Sequence, residues 1–325
     1  MERALYGPDG FYTRGGQAGR RGDFLTSPEV GPLFGAVLAR FLDAEWKRLG
    51  RPAPFTVVDA GAGPGTLARS IVAAAPEYRS VLRYIAVEVA EVQRRDHPPG
   101  VESRADVPAD PFVGVVIANE LLDNLPFRLA VFDGAWREAF VDRDDDGTLT
   151  EVLSAPFDPR PAVLPATAPL GARAPLVDAA CSWLDGARGL VRSGSVIAFD
   201  YAVDTTAELA VRPWREWLRT YRRHERGGHY LAAPGEQDLT TDVPLDQLPA
   251  PDERWTQAEF LRQWGIGGLV EEGQRGWAAG AAQPDLAALT MRSRVREAEA
   301  LLDPTGLGAH TVAVWRAPEE PRDER

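Results

Sequence analysis

The chain predicts an α/β protein built on a mostly parallel sheet with helices on both faces. Short, nearly unbroken apolar runs at 55–60, 83–88 and 113–118 alternate with helical patterns, as strands buried on both faces do. The first of these runs breaks into alternating glycines, Val57-Val58-Asp59-Ala60-Gly61-Ala62-Gly63-Pro64-Gly65. The second ends on an acid, Glu88. Glycines let a backbone turn and approach a ligand closely, and an acid at the tip of the next strand suits ribose hydroxyls. Strand, glycine turn and acid in this order indicate a nucleoside site.

The elements follow in order. Residues 1–31 are rich in glycine and turn formers, and Ser27-Pro28-Glu29 reads as a helix start with Ser27 as N-cap. That helix carries Leu33, Phe34, Val37, Leu38, Phe41 and Leu42 at helical spacing and runs to Leu49. Strand 55–60, the glycine turn and a helix from Thr66 to Ala75 come next, then strand 83–88, a short strand near 101–104 and strand 113–118. Apolar runs 127–132 and 136–141 flank Asp133-Gly134, a hairpin signal. Residues 142–175, acidic and then rich in Pro and Ala, read as a surface connection. A helix over 176–192 leads to strand 195–201, and 202–254 reads as irregular, with Arg212, Arg215, Arg219, Arg222, Arg223 and Arg226 in one stretch. Helices at 256–264 and 285–302 and a strand at 309–316 close the chain. Three regions result: 1–50, a covering segment and helix; 51–201, a nucleoside-binding core with a hairpin insertion; and 202–325, a substrate-covering insertion that also completes the sheet.

The details of the turn select the nucleoside. A dinucleotide fingerprint needs a third glycine where this chain has Thr66. What remains, Asp59-x-Gly61-x-Gly63-x-Gly65, is the pattern of S-adenosylmethionine (SAM) enzymes. Asn119 and Glu120 begin where strand 113–118 ends, so they border the same crevice. There they can orient an acceptor amine or take its proton; the alternative is an N-cap and first-turn acid of a helix. Asp123, one turn on, admits both readings. Asp106 lies just past the third strand, at a place suited to adenine recognition, although ordinary turn chemistry also explains it. Asp200 and Tyr201 end another strand on the substrate side. Glu138 reads as an exposed strand acid, and His224 and His229 as solvated loop residues.

Composition narrows the classes. With 325 residues and 44% hydrophobic content the chain can bury a large core. A net charge of −12 argues against nonspecific nucleic-acid binding, which needs a basic surface. Cys181 is the sole cysteine, and the histidines form no cluster with acids at ligand spacing, so no metal site is expected. No run has signal-peptide or membrane-spanning character, and the expected compartment is the cytoplasm.

Several stretches together resemble one family. Tyr6-Gly7-Pro8-Asp9-Gly10-Phe11-Tyr12, Gly22-Asp23-Phe24-Leu25-Thr26-Ser27-Pro28-Glu29, the glycine turn with Thr66-Leu67, Asn119-Glu120-Leu121-Leu122-Asp123-Asn124-Leu125-Pro126 and Trp136-x-Glu138 are similar to MidA-type SAM-dependent methyltransferases. The similarity continues through Asp200-Tyr201, Pro234-Gly235-Glu236-Gln237-Asp238-Leu239-Thr240 and Thr256-Gln257, nearly the whole chain. Leu121 and Leu122 stand where the family has two phenylalanines, and Ala202 where it has glycine. The resemblance implies a class I methyltransferase fold, Rossmann-like, with an added substrate-covering region, and SAM as cofactor. It implies that Asp59, Gly61, Gly63 and Gly65 cradle the methionine part, Glu88 the ribose and Asp106 the adenine. The Gly22–Glu29 stretch, through Asp23, Thr26 and Glu29, is expected to close over the cofactor, with Asn119, Glu120 and Asp123 on the acceptor. Mitochondrial members of the family methylate arginine in complex I assembly, so the expected acceptor is a protein arginine. A small-molecule acceptor and a SAM-binding assembly factor without turnover are the alternatives.

Overall fold

The computed structural model describes residues 1–14, 26–222, 225–280 and 286–317. Its centre is a seven-stranded sheet in the order Glu253–Thr256, Thr311–Arg316, Val191–Asp200, Phe112–Asn119, Phe55–Ala60, Leu82–Val87, Glu102–Arg104. Thr311–Arg316 alone runs against the others, pairing antiparallel with both neighbours. Phe55–Ala60 is central and wholly buried, which explains its unbroken apolar run. From it the chain builds outward through Leu82–Val87 on one side, then returns to Phe112–Asn119 on the other. That reversal opens a crevice at the carboxyl ends of the strands.

Helices cover both faces. Pro32–Arg48, Thr66–Ala73 and Gln257–Gln263 pack one side, where Phe34, Phe41, Phe199 and Phe260 meet edge to face at 5.2–5.5 Å. Asp178–Leu190 covers the other. The helix expected to run from Ser27 to Leu49 is two, Ser27–Val30 and Pro32–Arg48, broken at Gly31. Pro32 has no N–H and its ring disfavours helical backbone at the residue before it. Glu297 fills the break, its Oε2 accepting from the Leu33 N–H at 2.8 Å. The N-cap is Thr26 rather than Ser27, and the Ser27 hydroxyl donates to Gln257 Oε1 at 2.8 Å.

The expected hairpin forms from Arg128–Phe132 and Trp136–Arg143. Two strands, Leu149–Pro156 and Arg173–Leu176, flank it in a four-stranded antiparallel sheet. They occupy what the sequence presents as a surface connection. The segment after 202 is also more regular than expected, with a three-stranded sheet of Glu225–Arg226, Leu218–Arg222 and Asp238–Thr241. Helix Ile266–Gly280 lies in a stretch that the sequence leaves unassigned. Gly273 and Gly276 serve contact: a Cβ on Gly273 would lie 2.6 Å from the Met291 carbonyl oxygen of helix Leu286–Leu302. Among the described residues no helix is long and apolar enough to cross a membrane.

Candidate functional site

A cleft of about 370 Å³ opens where Phe55–Ala60, Leu82–Val87 and Phe112–Asn119 end. Asp59, Gly61, Gly63, Glu88, Asp106, Asn119 and Glu120 line it, joined by Thr26 and Glu29 from the N-terminal side. Asp23 lies outside the described residues. Gly65 stands behind the wall as N-cap of Thr66–Ala73, in left-handed backbone at φ 78°.

Glu88 is tied to the glycine turn. Its Oε2 accepts from the Gly63 N–H at 3.0 Å and its Oε1 from the Ala90 N–H at 2.8 Å. A carboxylate offers about four lone-pair sites, so both oxygens can still accept from a diol. Gly61 and Gly63 hold φ of 73° and 53°, and a side chain at Gly61 would press on Leu121 Cδ1 at 3.3 Å. Bare backbone beside an acid fits the ribose end of a nucleoside. Asp59 lies at the base of the turn and accepts from the Tyr84 hydroxyl at 3.0 Å. Burial pushes its pKa up to about 7 despite that bond.

Glu120 marks the other end of the cleft. Its backbone is left-handed, φ 50°, and its N–H donates to the Phe199 carbonyl at 2.8 Å, joining the ends of two neighbouring strands. Only a 3₁₀ turn, Leu122–Asn124, follows, so the first-turn helix acid is not what the backbone builds. Such backbone costs a non-glycine residue about 1–3 kcal/mol and concentrates at functional sites. The residue is half-buried on the cleft wall. Among the described residues its Oε1 receives only long bonds, from the Ser27 N–H and from Asn119 Nδ2, each at 3.4 Å. Burial, then repulsion from Asp123, pushes its pKa up to about 8.

Other acids lie beneath it. Asp123 is buried and does not line the cleft; Thr240 donates its hydroxyl to Oδ2, while Oδ1 has no partner among the described residues. Burial pushes its pKa up to about 6. Asp200 holds the turn from below, accepting from the Leu122 N–H at 2.8 Å and the Tyr201 N–H at 2.9 Å, and burial raises it as well. Asp238 accepts from the Tyr12 hydroxyl at 2.9 Å and from Asn124 Nδ2 at 3.1 Å, with a pKa raised by burial to about 7. Asn119 Oδ1 is buried without a partner among the described residues. Arg219 is the buried cation set against these carboxyls, paired to Asp242 at 2.6 Å.

Sequence reasoning missed Tyr6, Tyr12, Asn124 and Trp183, which line the cleft, and Asp238 behind it. Tyr6 and Tyr12 stack at 5.5 Å, and the Tyr6 hydroxyl donates to the Asn124 carbonyl at 3.1 Å. Tyr12, Asn124 and Asp238 all belong to the recurrent stretches quoted above, which was the available signal. Glu138 pairs with Arg128 at 3.1 Å, and His229 stacks on Tyr230 at 4.4 Å; neither reaches the cleft. His224 lies outside the described residues. No group of His, Cys, Asp and Glu among the described residues could hold a metal.

Comparison with known proteins agrees with this geometry. A family model described as "Putative S-adenosyl-L-methionine-dependent methyltransferase" matches residues 37–259. Protein arginine methyltransferase NDUFAF7 of Homo sapiens is 26% identical over 286 residues, covering 76% of this chain and 63% of the human one. The Drosophila melanogaster homolog is 29% identical over 176 residues, 44% of this chain and 40% of its own. The chain thus spans less than two thirds of either relative's length, and both names carry the word mitochondrial. A Burkholderia thailandensis crystal structure bound to S-adenosyl-homocysteine superposes with a TM-score of 0.81 at 25% identity, over 98% of this chain and 86% of that one. The chain belongs to this family of S-adenosylmethionine-dependent methyltransferases.

Proposed function

We propose that this chain transfers methyl groups from SAM to an arginine guanidinium of a protein. One observation carries the choice of acceptor: on the cleft wall beside Glu120, Asn119 Oδ1 is a buried oxygen without a donor among the described residues, and Asp123 and Asp238 crowd the carboxylate from behind. A guanidinium brings five N–H donors and a positive charge, and so complements both the unmet acceptor and the crowded carboxyls. The relatives named as protein arginine methyltransferases support the same reading.

The glycine backbone at Gly61 and Gly63 and the Glu88 carboxylate would hold the cofactor. When bound, SAM supplies an activated methyl group for a nucleophilic nitrogen. Glu120 pairs with the guanidinium through charge-assisted bonds and keeps one nitrogen directed into the cleft. The methylated guanidinium keeps its charge, so one proton leaves the nitrogen that gains the methyl. Glu120, with a pKa of about 8, is matched to receive it on a carboxylate oxygen near neutral pH. Tyr6 and Tyr12 wall the cleft from the N-terminal side and exclude water.

Glu120→Gln tests this. It keeps the shape and cannot ionise, so SAM affinity stays within about twofold while methyl transfer falls by a factor on the order of a hundred. The assay is labelled methyl transfer onto protein extract of a deletion strain, with acid hydrolysis to identify the methylated residue. Label on methylarginine is expected; label confined to small molecules, or full activity of the variant, contradicts the reading.

A further inference from the structure

Arg219 is a buried cation that no step above uses. It sits on Leu218–Arg222 directly across from Thr240, the residue whose hydroxyl donates to Asp123. Its side chain is 12% exposed, donates from Nη1 to Asp242 Oδ1 at 2.6 Å, and holds Cζ 4.8 Å from the centre of the Tyr201 ring. Among the described residues its buried Nη2 has no acceptor and the buried Asp123 Oδ1 no donor, and the two make no ion pair. The register opposite Thr240 puts the guanidinium on the strand face from which Thr240 reaches Asp123, so it acts on that carboxyl through space rather than by a bond. A buried donor and a buried acceptor left unmet are each costly.

Resting on the arginine reading, we propose that Arg219 is a positioning residue of the acceptor site: a resident guanidinium that holds Asp123 charged. The acids are then graded from an ionised floor at Asp123 to a protonated mouth at Glu120. An arriving cation meets a negative floor already in place, and only the mouth has to release a proton. Among the described residues, the surroundings of Asp123 leave this task to Arg219. Glu120 faces Asp123 from its own turn, Asp200 and Tyr201 from the end of Val191–Asp200, Asp238 and Asp242 from the segment after 237, and Tyr6 and Tyr12 from the N-terminal side. Each carboxylate there opposes charge on Asp123, and the tyrosines are neutral. Arg212 is spent on Asp242 at 3.1 Å, and His310, against the Tyr201 ring, is kept neutral by burial.

Melting temperature against pH tests the coupling without any acceptor. A carboxyl that binds its proton more tightly in the folded state loses stability as pH rises, until it has titrated. In Arg219→Gln, Asp123 keeps its proton longer, so melting temperature falls more steeply between pH 6 and 8 than in the wild type. In an Asp123→Asn background the extra fall disappears. Arg219→Lys, which keeps the charge, restores the wild-type slope. Methyl transfer follows the same sign: the acid limb of kcat/KM set by Asp123 moves up by about one pH unit in Arg219→Gln, a loss of about twofold at pH 7 that grows toward tenfold by pH 5 and vanishes by pH 9. Asp242→Asn leaves the Arg219 charge undivided and moves the limb and the melting curve to lower pH; it carries the test if Arg219→Gln does not fold. A melting curve lowered in parallel at every pH, or an Asp242→Asn curve that does not move, overturns the proposal. Failure of the arginine reading shows separately, as label on another residue, and leaves the melting curves as predicted.

Discussion

At the scale of single residues, the cleft is ruled by what two carboxylates already hold. Glu88 is engaged twice before any ligand arrives, by the Gly63 and Ala90 N–H groups. Glu88→Ala therefore removes the proposed ribose contact and frees the turn together. SAM and S-adenosylhomocysteine affinity should fall by about 1.5–3 kcal/mol, roughly ten- to a hundredfold, measured by calorimetry. An unchanged dissociation constant would take Glu88 out of the cofactor site. Glu120 differs, being held by two long bonds and a left-handed backbone. Gln at that position should leave folding stability equal or raise it at pH 8, where the native carboxyl is part charged. A loss there would mean that the carboxylate acts in the fold rather than in transfer.

Among elements, the contact between Pro32–Arg48 and Thr66–Ala73 fixes the glycine turn from behind. Gly35 is the point of approach, since a Cβ there would lie 2.4 Å from Ser70 Cβ. Gly35→Ala gains about 1 kcal/mol in helix propensity and loses about 1–3 kcal/mol to overpacking. The loss wins, and a lower melting temperature is expected; a higher one would show that the two helices separate freely. The same elements explain what could be read in advance. The turn 57–65, Glu88 and Asn119-Glu120 were legible because adjacent residues make the signal. Asp200 was legible too, as a strand end on the substrate side, but Asp238 and Arg219 were not, because their partners come from distant segments: Tyr12 meets Asp238 across 226 residues. Leu149–Pro156 and Arg173–Leu176 were hidden for a related reason. Their pairing is ordered by the hairpin and by the Glu151–Arg173 ion pair rather than by their own alternation. The break at Gly31 was missed although its signal, Pro32, is local.

For the whole molecule, the acids set the pH response. Asp59, Glu120, Asp123 and Asp238 bind protons more tightly folded than unfolded, with pKa values of about 7, 8, 6 and 7. Their stabilisation is complete below the ordinary carboxylate range and is lost as pH rises through 6 to 8. Glu45 works the other way: although buried, it is held below its usual range by Arg48 and Arg316 and destabilises the fold in acid. The ligand-free protein should therefore melt highest on the acid side of neutrality, and a scan showing a flat or rising melting temperature from pH 5.5 to 8 would contradict this. The site also has a history in time. Gly63 and Glu88 meet across 25 residues, whereas Tyr12 must find Asp238 across 226. Short loops close before long ones. The Gly63–Glu88 bond can thus form while the contact of Tyr12 with Asp238 is still open. The acid floor is the part of the cleft that topology leaves to close last.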